Sequence, residues 1–181
     1  DAVSTALQRD VARVFHWVPH HISHAASAYY PSGVSSAAIL AVDGIGEHTT
    51  ALLAVGDGPD ICPLEHVDYP DSLGFLWEKL SKFLGFSEYD ACKVMGLAAY
   101  GNAQALRSTF DQFVSMNGRV FELDPSILQF RLETFAGLQP LFGAHRAVGE
   151  PLESHHADIA AGLQACTDEI MLRLVRRMYE L

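Results

Sequence analysis

The sequence predicts an α/β fold in which a short antiparallel sheet is packed with helices, and three observations carry that expectation. Residues 37–69, AAILAVDGIGEHTTALLAVGDGPDICPLEHVDY, set apolar runs between Asp-Gly turn signals, the pattern of a three-stranded meander. From residue 71 onward apolar side chains recur every three or four positions, most clearly at Ile159, Leu163, Cys166, Ile170, Leu174 and Met178. The chain has 181 residues, 49% of them hydrophobic and 19% charged, enough for one domain or one and a part with a real core.

Taken in order, Val3, Leu7, Val11 and Val14 stand at helical spacing, with Asp1 and Ser4 as start signals, so residues 1–15 read as an amphipathic helix. A short apolar piece, Phe15 to Val18, leads to Pro19. Proline suits the first helical position because its missing N–H would have no intrahelical partner. The helix it opens carries HHISHAASAYYPS, is lined by the small residues Ala25, Ala26, Ser27 and Ala28, and ends at Pro31, Ser32 and Gly33. Ala37 to Val42 is apolar on both alternations and marks a strand buried on both faces, closed by Asp43, with Gly44 and Gly46 making the turn. Thr49 to Val55 is the second strand, Gly56 to Pro59 the second turn, and Ile61 to Val67 a third strand in which Pro63 marks an edge or bulge.

Helices follow. Asp71 or Ser72 caps one whose Leu73, Leu76, Leu80 and Phe83 share a face, with Trp77 beside them and Gly85 past the end. Ser87 to Asp90 resembles a capping box that opens a second, running to Gly101. Residues 103–114 read as a third, Asn117-Gly118 as a turn and Arg119 to Leu123 as a short strand. Residues 124–150 carry no clear pattern, and one long helix runs from Ser154 to Leu181.

Two stretches concentrate chemistry. His20 and His24 stand one helical turn apart on a shared face, while His21 is rotated about 100° away. Two imidazoles on one face can share a metal ion, although H-x-x-x-H alone is also what a polar helix surface shows. The positive end of the helix opening at Pro19 favours anions and disfavours imidazolium. In the first hairpin the backbone N–H groups of Gly44 to Glu47 can form an anion nest beside the Asp43 carboxylate, while Asp-Gly is equally a plain turn signal. His48 beside the hairpin is undecided, and His155 and His156 sit at a helix start with no chemical role expected.

Composition narrows the partners. A formal net charge of −10 with only 12 Lys and Arg argues against nucleic acid, whose backbone needs clustered cations. No apolar stretch approaches the roughly 20 residues of a membrane helix. Cys62, Cys92 and Cys166 are odd in number and lack C-x-x-C pairing, which fits reduced thiols, no disulfide and a cytoplasmic location. Small-molecule chemistry is the expectation.

HHISHAASAYYPS, AAILAVDGIGE, SLGFLWEKLSKFLGF, EYDACKVMGLAAYG and HADIAAGLQ, in that order, resemble the O-carbamoyltransferases of nodulation-factor and antibiotic biosynthesis over nearly the whole chain. The combination is far more specific than any one segment. The resemblance implies the actin-like ATPase (ASKHA) fold, shared with hydrogenase-maturation carbamoyltransferases and the metal-binding enzyme of tRNA threonylcarbamoylation, in which each half opens with a phosphate-gripping hairpin. On that reading residues 1–36 end the first actin-like subdomain and hold the metal-binding helix, and residues 37–181 are most of the second. Ala99 stands where the family often has proline, Gly33 and Val34 where Pro-Phe is common, and GAHR at 143–146 where GPPR is usual; these departures touch loops. The family's opening strand, a Gly-Gly-Val-Ala-Leu-Asn loop, a later metal-binding aspartate and the C-terminal adenylate-forming domain do not occur in this sequence. It is therefore expected to be a middle slice of a larger enzyme, inactive alone.

For the site, the resemblance implies a divalent metal held by His20, His24, Asp43 and a distant aspartate. Fe(II) is the metal of the best understood relatives, and Zn(II) fits the same donors. Carbamoyl phosphate and ATP would give carbamoyl-adenylate, from which the carbamoyl group passes to a small-molecule hydroxyl. His21 and Asp43 are the candidates for accepting the hydroxyl proton, and Gly44, Gly46, Glu47 and Lys93 for meeting nucleotide or phosphate. The alternatives are a non-catalytic nucleotide- or metal-binding accessory module of the same fold, and a hydrogenase-maturation or tRNA-modifying carbamoyltransferase, the acidic charge weighing against tRNA.

Overall fold

The computed structural model describes residues 2–116, 118 and 120–181. The start signal at Asp1, the Asn117 half of the expected turn and the Arg119 start of the expected strand lie outside the described residues. The apolar stripe of residues 1–15 yields only a short helix, α1 (Ala2–Ala6). Gln8 takes φ 50° and breaks the run. Val11 finds a buried position while Leu7 and Val14 stay exposed, so little packing offsets the cost of nucleating a helix there.

Helix α2 (His20–Ser32) ends as expected, with Gly33 in the left-handed region at φ 70°. At its start Pro19 is the capping residue rather than the first helical one: its ψ of 142° is extended, and His20 opens the helix.

The meander is present as β1 (Ser36–Gly46), β2 (Thr49–Asp57) and β3 (Asp60–Asp68), antiparallel in the order β1-β2-β3. Strand β1 outruns its expected end. Val42 pairs with Ala51 and Gly46 with Thr49, so Asp43, Gly44 and Ile45 lie opposite Thr50 alone. Gly44 and Gly46 therefore belong to a bulged strand, and the turn is made by Glu47, at φ 53°, and His48. Such a bulge re-aims side chains, here at the end of the strand that carries Asp43. In β3, Pro63 pairs with Ala54 and Glu65 with Leu53, leaving Leu64 as the extra residue of the bulge that proline signalled.

Helices pack on both faces of the sheet. Helix α2 sets Ala25 and Tyr29 against Ile39, Leu52 and Ala54. A Cβ at Gly56 would lie 2.5 Å from the Tyr29 ring, so glycine there lets the helix approach. Tyr29 Oη donates to the Ser35 and Gly58 carbonyls at 3.0 and 3.2 Å. On the other face α3 (Leu73–Phe83) and α8 (Ser154–Glu180) enclose the main core, where Leu53, Leu76, Leu80, Phe83, Leu163 and Ile170 are fully buried. Each such side chain contributes about 1.5–3 kcal/mol over leaving it exposed. The stripe expected along α8 is buried from Ile159 to Leu174, with Met178 half-buried, and among the described residues no helix is long and apolar enough to cross a membrane.

Between them run α4 (Ala91–Ala98), a 3-10 turn (Ala103–Leu106), α5 (Arg107–Phe110), β4 (Val114–Ser115), β5 (Glu122–Leu123), α6 (Pro125–Leu128) and α7 (Gln139–Phe142). The helix expected over 103–114 is thus cut short. Val114 pairs with Leu123, and the Phe113 carbonyl accepts from Asp124 N–H at 2.9 Å, which draws the chain into a ribbon instead. At the start of α8, Glu153 N–H donates to His156 Nδ1 at 3.0 Å, giving that buried imidazole a capping role. All three cysteines are free.

Candidate metal centre

The first turn of α2 and the bulged end of β1 aim three side chains at one point. His20 Nε2 lies 2.7 Å from Asp43 Oδ2, His24 Nε2 lies 3.1 Å from the same oxygen, and the two Nε2 atoms are 2.9 Å apart. Helical spacing explains the imidazoles, which meet edge to face with centroids 4.6 Å apart. The bulge explains Asp43, whose other oxygen, Oδ1, accepts from its own neighbour Gly44 N–H at 2.7 Å. Burial works against ionisation of this carboxyl, but the neighbouring imidazoles of His20 and His24 and the hydrogen bond from Gly44 N–H outweigh it, so Asp43 titrates below the ordinary carboxylate value.

Protons cannot satisfy this triangle. Each neutral imidazole brings one N–H and one lone pair. Two Nε2–H groups would confront each other across 2.9 Å, and a single one leaves a lone pair facing a lone pair on another edge. A cation at the centre satisfies all three atoms. Ligand atoms that share one ion through bonds of about 2.1 Å stand about 3 Å apart, close to the separations of these three atoms. Among the described residues this is the one group of three His, Cys, Asp or Glu side chains arranged to hold a metal ion.

Each residue singled out from the sequence has a definite place. A Cβ at Gly46 would fall 2.4 Å from His20 Cβ and Cδ2, so glycine there makes room for the imidazole. Gly44 faces Phe75, 3.5 Å from where its Cβ would be. Glu47 Oε2 accepts from His20 N–H at 3.3 Å, placing a carboxylate at the N-terminus of α2, where an approaching phosphate was expected. Lys93 is committed to Asp90, 2.8 Å away; this pairing and the Ser87 hydrogen bonds hold the Asp90 carboxyl down at about 2. His21 is only 4% exposed, and neither ring nitrogen reaches a hydrogen-bonding partner. Burial lowers its pKa, which favours the neutral ring. His48, with His66, flanks Asp68 at 3.9 and 3.3 Å on the far side of the hairpin. Ser72, legible in the sequence as a candidate cap, and Gly74, which carries no motif, both press on the β1 end; their S-L-G spacing at a helix start is the one sequence signal for them.

A sequence profile described as Carbamoyltransferase N-terminus matches residues 3–181. Similar curated proteins include the nodulation protein NolNO of Sinorhizobium fredii, 36% identical over 171 residues, which are 91% of this chain and 23% of that protein. Protein sll1178 of Synechocystis sp. is 36% identical over 170 residues, 89% of this chain and 27% of its own length. The nodulation protein NolO of Bradyrhizobium diazoefficiens is 32% identical over 157 residues, 87% of this chain and 28% of its own length. The chain spans about a quarter of the length of these relatives. Because the profile runs unbroken through α2, the sheet and α8, taking in all three converging side chains, the chain belongs to the Carbamoyltransferase N-terminus family.

Proposed function

We propose that these residues form the metal-bearing part of an O-carbamoyltransferase with an actin-like fold, acting in the cytoplasm on a small-molecule hydroxyl. Residues 1–36 close one subdomain and residues 37–181 form most of the next, so that the metal centre lies where α2 meets β1. The observation that carries the reading is the convergence of His20, His24 and Asp43 within a carbamoyltransferase family member.

In the reaction, carbamoyl-adenylate made from carbamoyl phosphate and ATP gives up its carbamoyl group. The acceptor oxygen bonds to the carbamoyl carbon, the bond from that carbon to the phosphate oxygen breaks, AMP leaves with the electron pair, and the hydroxyl proton is released. A divalent ion held by the three side chains would bind phosphate oxygen and offset the negative charge on the leaving group. A donor set of two imidazoles and one carboxylate would suit Fe(II), the first choice, and Zn(II), the second. The chain's own residues hold and orient. Asp43 is not assigned the acceptor's proton, since both its oxygens are engaged, nor is His21, which is enclosed.

The test is anaerobic calorimetric titration of Fe(II), with Zn(II) in parallel, into the wild type, His20→Ala, His24→Ala and His21→Ala. Loss of most binding in the first two, with affinity retained in folded His21→Ala, is expected. Undiminished binding in His20→Ala and His24→Ala would overturn the reading.

A further inference from the structure

The start of α3 grips the peptide that carries Asp43. Ser72, fully buried, donates from Oγ to the Gly44 carbonyl at 2.5 Å and accepts from Phe75 N–H at 3.1 Å. Gly74 closes the other side: a Cβ there would lie 2.6 Å from Gly44 Cα and N and 2.9 Å from the Asp43 carbonyl carbon. The 43–44 peptide is thereby fixed by a hydrogen bond at its following carbonyl and by backbone-to-backbone contact along its length. That peptide decides the carboxylate's orientation, because Gly44 N–H engages Oδ1 and leaves Oδ2 for the two imidazoles. A bulge with three residues opposite one has no ladder of its own to hold it.

We infer that Ser72 and Gly74 are positioning residues of the metal centre: together they clamp the Asp43–Gly44 peptide so that one carboxylate oxygen is spent on the backbone and the other is presented to His20 and His24. The inference rests on the metal-centre reading for its purpose, while the clamp itself is a property of the metal-free chain. Ser72 has a second duty as the cap of α3, so stability alone does not test it. Supporting residues of this kind change metal affinity by about 10–100-fold when removed.

The experiment compares wild type, Ser72→Ala, Gly74→Ala, Ser72→Thr and Asp124→Ala. Ser72→Thr keeps both donor and acceptor and serves as the conservative rescue. Asp124→Ala removes a comparable cap from α6, where Asp124 Oδ1 accepts from Ser126 N–H at 2.8 Å, and serves as the control for destabilisation. Co(II), whose visible spectrum reports coordination geometry, is titrated into each protein, and hydrogen exchange at the Gly44 amide is measured without metal. Ser72→Ala and Gly74→Ala should bind Co(II) at least about tenfold more weakly, with an altered spectrum and at least about tenfold faster Gly44 exchange. Ser72→Thr should recover toward wild type, and Asp124→Ala should change melting temperature alone. Wild-type Co(II) affinity and spectrum in folded Ser72→Ala would overturn the inference even if Gly74→Ala failed to fold. Should the wild type bind no Co(II), the metal-centre reading fails, and unchanged Gly44 exchange in Ser72→Ala would then reject the clamp separately.

Discussion

Gly46→Ala puts the site's geometry under the most direct stress. The added methyl would sit 2.4 Å from His20 Cβ and Cδ2 and 2.5 Å from Cγ. Carbon atoms rest at about 3.5 Å or more, so the imidazole or the strand must give by about 1 Å. Metal bonds tolerate about 0.2 Å, which makes that retreat enough to take His20 out of the triangle. The expected loss is about 10–100-fold in affinity, or about 1.4–2.7 kcal/mol. Crowding of the α2 and β1 contact should also cost about 1–3 kcal/mol of stability without metal. Calorimetry reads the first quantity and chemical denaturation the second. Denaturation with metal at 100 times the wild-type Kd links them: wild type should gain about 2.7 kcal/mol, a variant weakened tenfold about 1.4, and one weakened a hundredfold about 0.4. A folded Gly46→Ala that binds within twofold of wild type would refute the claim that this glycine exists to admit His20.

Gly96→Ala is the counterpart: Gly96 lies inside α4 with open space around it, so alanine should raise stability by about 0.5–1 kcal/mol in chemical denaturation and leave metal affinity alone. Ellman's reagent should titrate two thiols in the native protein, exposed Cys62 and Cys92, and the third only on unfolding, because burial closes off Cys166 and pushes its thiol up to about 12; three fast thiols would contradict the core packing. Burial raises the Asp71 carboxyl above its ordinary value, against the hydrogen bond from Leu123 N–H. Its contribution to stability is therefore complete below the unfolded pKa of about 3.9 and lost as pH rises through the higher folded value. Asp71→Asn keeps an acceptor for Leu123 N–H, so its stability relative to wild type should increase with pH across that window, and a difference independent of pH would contradict it.

Much of this architecture is written in periodicities. The α8 stripe from Ile159 to Leu174 is buried as its spacing requires, and Pro63 marks a bulge on an edge strand, because these signals report which face of a local element meets the core. Signals that depend on what lies opposite were unreadable. The stripe from Val3 to Val14 looks as helical as α8 but finds too little to pack against. Residues 103–114 carry helical spacing, yet Val114 pairs with Leu123.

The candidate metal centre shows the same division at the scale of single residues. H-x-x-x-H fixed the two imidazoles on one face through helix geometry alone, and an aspartate at the end of an apolar run was bound to emerge near the sheet's edge. What aims Asp43 at them is a bulge, and D-G-I-G reads identically as a turn and as a bulged strand. Glycine has two uses that a sequence does not separate, unusual φ and close approach. The hairpin's left-handed residue is Glu47, while Gly46 yields space to His20 and Gly74 to the Asp43–Gly44 backbone. Of the two glycines that suggest a cradle for phosphate, Gly46 makes room for an imidazole, while a Cβ at Gly44 would meet Phe75 at an ordinary 3.5 Å; the start of α2 already carries the chain's own Glu47 carboxylate. A phosphate that enters this site has to approach from the open side of the His20, His24 and Asp43 triangle, or first draw Glu47 away from the His20 N–H.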